Sequence, residues 1–333
     1  MQYNARFARL SSVLHCLVLF AVASSGTVEI AASIDGTAAI DRPVYARKGQ
    51  DVRLYAVVRT GTKIFSDAPS LVIGGKKVTP EPLPQNAKVT WKRIEPTTAN
   101  MSNTSSGEFR FELIDYKTTT IDSAAHWITA DVRPTLTTDY GDGVGTMRYQ
   151  VIVDDVASPG IDARRGRGAG GLTDNVMRVS IRRDDTFLGF LTEMYGQPYI
   201  WASAGTTDRN HQSEHLEGSD CADFLVYGAR RMGKKLAYTW TGALPQVSKL
   251  LAAGTRGADG IYRGKDGKML PFTKIGDLVL FPRHVGVLAQ DRGQAGVLDD
   301  QDLMMHTLFD TPKEQAIADS TYADQPLELR RLR

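Results

Sequence analysis

One cysteine in this chain stands where a thiol can act as a nucleophile. Cys221 opens a segment in which Cys221, Phe224, Leu225, Gly228, Ala229 and Met232 recur at helical spacing, which predicts a helix with one buried face over 221–235. Ser219 and Asp220 are capping residue types directly before it, and Arg230, Arg231, Lys234 and Lys235 gather at the far end, where cations suit the helix dipole. The thiol is therefore placed among free backbone N–H groups at the positive end of a helix. A free thiol titrates near ~8.5, and that setting predicts a lower value. A cysteine nucleophile needs a base, usually histidine, held by a third polar group. His284 opens the apolar run His284-Val285-Gly286-Val287-Leu288, and His306 lies in Met304-Met305-His306-Thr307-Leu308. If these runs pair as adjacent strands, both imidazoles share the sheet face that meets the helix.

The elements that must position these groups follow from the remaining pattern. Residues 184–195, 221–235 and 244–253 have helical spacing. Strands are predicted at 278–281, 285–289 and 303–309, so helices precede an antiparallel sheet, an α+β arrangement. Residues 43–155 instead show period-two runs, at Val52 to Val58, Phe109 to Leu113, Trp127 to Val132 and Met147 to Val153, separated by Gly, Pro, Asn and Ser. This reads as an antiparallel, immunoglobulin-like β-sandwich without a catalytic constellation. Its expected task is to position the cysteine-bearing part or restrict access to it.

Residues 156–176, with Arg164 to Gly171, read as a linker, and 24–42 as a flexible lead-in. The Asp139–Asp142 run reads as a turn. Asn100-Met101-Ser102 and Asn103-Thr104-Ser105 match the glycosylation sequon.

In order along the chain, Gly196-Gln197-Pro198-Tyr199-Ile200-Trp201, Ser219-Asp220-Cys221-Ala222, Ile275-Gly276-Asp277-Leu278-Val279-Leu280-Phe281, His284-Val285-Gly286-Val287 and Met305-His306 resemble the successive blocks of the NlpC/P60 cysteine peptidases. The resemblance covers roughly residues 184–310. It implies a papain-like α+β domain over 177–333 and cleavage of amide bonds in peptidoglycan stem peptides. It further implies Cys221 as nucleophile, His284 as base and His306 as the residue that orients the base. Tyr199 and Asp220 are implied to contact substrate. Two positions depart from the family pattern: Ala222-Asp223 stands where Ser-Gly usually follows the cysteine, and Ala202-Ser203 where Gly-Gly follows the tryptophan. These departures keep three alternatives open: an amidase on another secreted amide, an acyltransferase, and an inactive relative in which the sandwich binds a surface polymer.

Partner and compartment complete the reading. The 333 residues are 42% hydrophobic and 23% charged, which excludes a disordered chain, and the net charge of +2 gives no support to a nucleic-acid partner. Arg6 and Arg9, the apolar stretch Leu10–Ala23 and the small residues Ala21-Val22-Ala23 form a signal-peptide pattern, so residues 1–23 are expected to be removed on export to the periplasm or beyond. That leaves no membrane span and takes away Cys16, so Cys221 is the only thiol of the mature chain. No cofactor is expected. His211-Gln212-Ser213-Glu214-His215 fits the H-x-x-E-H zinc signature, but no apolar periodicity surrounds it, and the segment reads as a polar loop over the cysteine site.

Overall fold

A computed structural model describes residues 26–104, 106–136, 142–162, 171–204 and 211–333. The expected export segment with Cys16, the Asp139–Gly141 part of the acidic turn and the Arg164–Gly170 part of the linker lie outside the described residues. No helix among the described residues is long and apolar enough to cross a membrane.

The described residues are mostly β, with 41% of them in strands and 10% in helices. This overturns the expected α+β papain-like domain. Three short helices are described, and the longest is Cys221–Arg231. It stops where Gly233 takes a left-handed φ of +85°, which a glycine adopts without steric cost. The predicted helix 184–195 is a single turn, Phe187–Leu191, continued as 3-10 helix. The predicted helix 244–253 ends at Val247, and Ser248–Arg256 is a strand. Its partner is the C-terminal strand Leu327–Leu332, some eighty residues away, so tertiary pairing outweighs local propensity there.

The N-terminal half is a pair of sheets. In the first, Thr27–Ile34 lies between Val52–Thr60 and Ala39–Ile40, so the expected flexible lead-in is a central strand. In the second, Val89–Pro96, Gly145–Val153 and Met177–Arg182 lie side by side, with Val44–Arg47 parallel to the last. This sheet therefore extends to Arg182, past the expected boundary at 176. Phe109 and Phe111 form no strand; their rings meet edge to face at 5.0 Å.

The C-terminal half curls around one sheet with the order Tyr262–Arg263, Ser248–Arg256, Leu327–Leu332, Leu278–Leu280, Val285–Gln290, Leu303–His306, Lys313–Ala316. One face carries Leu278, Leu280, Val285, Val287 and Met305 and packs against Phe224 and Leu225 of the long helix. The other carries Val279, Phe281, Leu288, Met304 and Leu329 in a second core.

The two halves share a single apolar cluster, running from Val28 and Trp91 through Leu191 and Tyr195 to Phe224 and Val287. Asn100–Ser102 pairs as a parallel strand with Tyr199–Trp201, so main-chain hydrogen bonds also cross between them. Glu193, fully buried, is held by Arg231 Nε and Nη2 at 2.7 and 2.9 Å and by the Tyr227 hydroxyl.

This continuity predicts that urea unfolding followed by tryptophan fluorescence and by far-ultraviolet circular dichroism gives one coincident transition; two separated transitions would contradict it. Glu193→Ala, which strands Arg231 and Tyr227, is expected to lower the unfolding free energy by about 3 kcal/mol.

Candidate active site

Cys221 occupies the first turn of its helix, as its sequence neighbours imply. Asp220 is the N-cap: its Oδ1 accepts from the backbone N–H groups of Ala222 and Asp223, both at 2.9 Å. Tyr199 lies beside the thiol, its hydroxyl proton held more tightly than usual by burial, with the Asp220 carboxylate adding to the effect.

His284 and His306 are brought together. His284 Nε2 and His306 Nδ1 are 2.8 Å apart and both rings are buried. Their shared face is not the one that meets the helix. Gly286, between them in register, faces Met304 and the His306 Cβ, on the side of the second core, whereas Val285, Val287 and Met305 face the helix. The thiol meets the start of the Val285–Gln290 strand: its first backbone N–H, one residue after His284, donates toward the Cys221 sulfur. The Nδ1 of His284 has no hydrogen-bond partner, the thiol included. Tyr322 stacks on the His284 ring at 5.0 Å and Phe281 at 6.2 Å, which fixes its plane. Gln315, on the next strand, supports the His306 ring.

The electrostatics differ from the sequence expectation. Burial, and then the Asp220 and Asp223 charges, push the Cys221 thiol up; the N–H groups of Val285 and Cys221 offset this only in part. Burial holds His284 well below the ordinary imidazole range, with His306 adding to the effect, and pushes His306 down to about 4. The resting site is a neutral thiol beside two neutral imidazoles. A helix N-terminus favours a thiolate, but here the first turn is buried and already holds two carboxylates, and those terms win.

Both departures from the family pattern meet in one network. Ser203 Oγ donates to Asp223 Oδ2 at 2.6 Å and accepts from the Asp220 backbone N–H at 3.0 Å. Ala202 keeps a left-handed φ of +57° at a position where the pattern has glycine. Asn103 Nδ2 donates to the Ala202 carbonyl at 2.8 Å and to Gln212 Oε1 at 2.7 Å. The buried amide of Asn103 is thereby occupied, which removes it as a glycosylation site in the folded chain. None of this was visible at the sequence level, because the serine and the aspartate are twenty residues apart and the asparagine is a hundred residues before them. The two departures had been noted, but their pairing carries no sequence signal.

Residues 211–215 form turns, not the helix a zinc signature requires. His211 is buried, stacks on Tyr238 at 3.9 Å and lies 4.0 Å from Asp223, while His215 is exposed and Glu214 pairs with Arg230. Among the described residues no three His, Cys, Asp or Glu side chains converge on a metal position. The segment is no polar surface loop either: Gln212, Ser213, Leu216 and Ser219 are buried. Gly218 runs so close to the Tyr199–Trp201 strand that a Cβ would lie 2.6 Å from the Pro198 carbonyl.

Tyr199 has an exposed aromatic neighbour. Phe309, 62% exposed with a left-handed φ of +53°, meets Tyr199 edge-on at 5.3 Å, and Trp201 is 47% exposed. No family model matches the chain, and no curated protein matches it in sequence.

Two outcomes follow from these environments. Ala202→Gly releases about 1–2 kcal/mol of left-handed strain and costs about 0.5–1 kcal/mol of added unfolded-state entropy, so urea denaturation should show a net gain of roughly 0.5–1 kcal/mol. Burial pushes the Asp220 carboxyl up to about 6, above its unfolded value of 3.8. Protonation therefore favours the folded state, and the resulting penalty is absent below about pH 4 and complete above about pH 6. Asp220→Asn keeps a capping side chain and lacks the penalty, so it should raise Tm at pH 7 but not at pH 4; an equal change at both would contradict this assignment.

Proposed function

We propose that the chain is a cysteine hydrolase of amide bonds in peptidoglycan stem peptides, acting outside the cytoplasm, with Cys221 as nucleophile, His284 as general base and His306 as the group that orients it. The observation that carries this reading is the pairing of His284 Nε2 with His306 Nδ1 at the end of the strand whose first N–H reaches the Cys221 sulfur. The order of the sequence blocks supports the substrate class. The papain-like framework does not enter the argument, since the surrounding chain is mostly β.

The tautomers follow from the hydrogen bonds. If His284 takes the thiol proton, it does so on Nδ1, the nitrogen without a partner. Nε2 must then carry hydrogen and donate to His306 Nδ1, which puts the His306 proton on Nε2. In the resting state the thiol keeps its proton. As a substrate carbonyl approaches, the proton passes to His284 Nδ1 and sulfur attacks the carbonyl carbon. The oxyanion is held in part by the Cys221 backbone N–H at the helix start. His284 returns the proton to the leaving amine, the C–N bond breaks, and a thioester remains on Cys221. Water, deprotonated by the same imidazole, releases the acid and restores the thiol.

A thiol amidase or acyltransferase with another substrate is the second reading. It is favoured by the Ser203–Asp223 pair, which rebuilds the wall behind the nucleophile where the family pattern has small residues.

Incubation of the protein with purified peptidoglycan, followed by mass spectrometry of the soluble products, tests the first reading. Stem-peptide fragments are expected from the unaltered chain and none from Cys221→Ala. His284→Ala should slow their release by about 10²–10⁴-fold. Fragments that persist in Cys221→Ala would overturn the nucleophile. No fragments, together with a Cys221 that still forms adducts with small acylating reagents, would move the substrate to the second reading.

A further inference from the structure

The described part of the segment leading into Cys221 contains two residues other than glycine with left-handed backbones, Ala202 at φ +57° and Leu216 at φ +53°. Such conformations cost about 1–2 kcal/mol each and persist only where the surroundings enforce them. Both carbonyls are held by side chains from the N-terminal half, Asn103 just after the strand Asn100–Ser102 and Arg148 on the strand Gly145–Val153. Asn103 Nδ2 donates to the Ala202 carbonyl at 2.8 Å, and Arg148 Nη2 donates to the Leu216 carbonyl at 2.6 Å.

Neither donor is a surface group that happens to be near. Asn103 is buried, and its amide also bonds Gln212 Oε1 and accepts from the Glu112 backbone N–H at 3.0 Å. Arg148 is among the largest fully buried side chains; its other nitrogen donates to Gln197 Oε1 at 2.9 Å and its guanidinium lies over the Tyr116 ring. Burying a guanidinium is costly, and using it to hold main-chain carbonyls is a way to offset that cost.

From Ala202 the path to the nucleophile is short and bonded. The next residue, Ser203, bridges the Asp220 N–H and the Asp223 carboxylate, and the Asp220 carboxylate caps the turn that contains Cys221. Leu216 leads into Gly218 and Ser219, whose carbonyl accepts from Ile200 N–H at 3.0 Å.

We propose that Asn103 and Arg148 are positioning residues for the nucleophile: the N-terminal half holds the two strained turns that set the Asp220–Cys221 cap, and is a working part of the active site. This rests on Cys221 being the nucleophile, but the clamp itself can be read without substrate.

The test uses the full chain and three variants: Asn103→Ala, Ala202→Gly and the two combined. Glycine at 202 adopts the left-handed turn unaided, so it replaces the clamp at that turn and nothing else that Asn103 touches. Hydrogen exchange is followed on peptides covering 218–224, where the Asp220, Ala222 and Asp223 amides report the cap. In Asn103→Ala these amides should exchange about tenfold faster while those of 285–290 do not change, and in the double variant protection should return. On peptidoglycan, kcat should fall at least tenfold in Asn103→Ala with KM within twofold, and recover in the double variant. If alanine at 103 does not fold, Asn103→Ser, too short to reach the Ala202 carbonyl, takes its place. Unchanged exchange at 218–224, or faster exchange that the glycine does not reverse, would overturn the clamp. Absence of hydrolysis by the unaltered chain would overturn the function alone, and the exchange data would still decide the positioning role.

Discussion

The buried first turn of the Cys221–Arg231 helix is the constraint around which the rest is arranged. A helix start leaves backbone N–H groups without partners, and burial makes each of them expensive. Asp220 satisfies two of them, and its own N–H is satisfied by Ser203. That solution puts one carboxylate directly beside the thiol, and Asp223 adds a second. The site consequently rests with the sulfur protonated, and the ordinary advantage of a helix N-terminus for a thiolate is cancelled by the groups that make the terminus tolerable in the interior.

Reactivity then depends on what lies across from the sulfur. His284 sits at the end of a strand, stacked against Tyr322 and Phe281, with one nitrogen committed to His306 and the other open. Both rings are neutral through burial, so proton transfer from the thiol creates two charges where there were none. A polar substrate carbonyl developing an oxyanion beside the Cys221 N–H, and beside an imidazolium, is the event that makes such a separation favourable. The same burial that silences the resting thiol strengthens those interactions once they form.

The candidate nucleophile and base were legible in sequence because each sits at an element boundary with a recognisable local signature. Asp220-Cys221 is a cap before an amphipathic run, and His284 opens an alternating apolar strand. Strand positions near 52–60 and 145–153 were readable from period two, and those near 278–280 and 285–290 from short apolar runs. The fold class was not. Thr27–Ile34 is rich in alanine and serine and resembles a lead-in until its partner Val52–Thr60 is known. Ser248–Arg256 carries helix-forming leucines and alanines but pairs with a strand at the far end of the chain. Arg148 lies on what alternation marks as the outer face of a sandwich, where solvent is the natural expectation; the second half of the molecule covers that face instead. Long-range pairing decided each of these, and it leaves no local trace.

The central claim is that Cys221 attacks a carbonyl and carries the acyl group while His284 moves the proton. Its most direct measurement is a single-turnover reaction with stem-peptide substrate, quenched in acid and digested, in which the peptide containing Cys221 is weighed. The account predicts a transient thioester adduct whose mass equals the acyl half of the cleaved bond, formed by the unaltered chain and lost in His284→Ala. Cleavage that proceeds with no adduct at Cys221 at any time would contradict it.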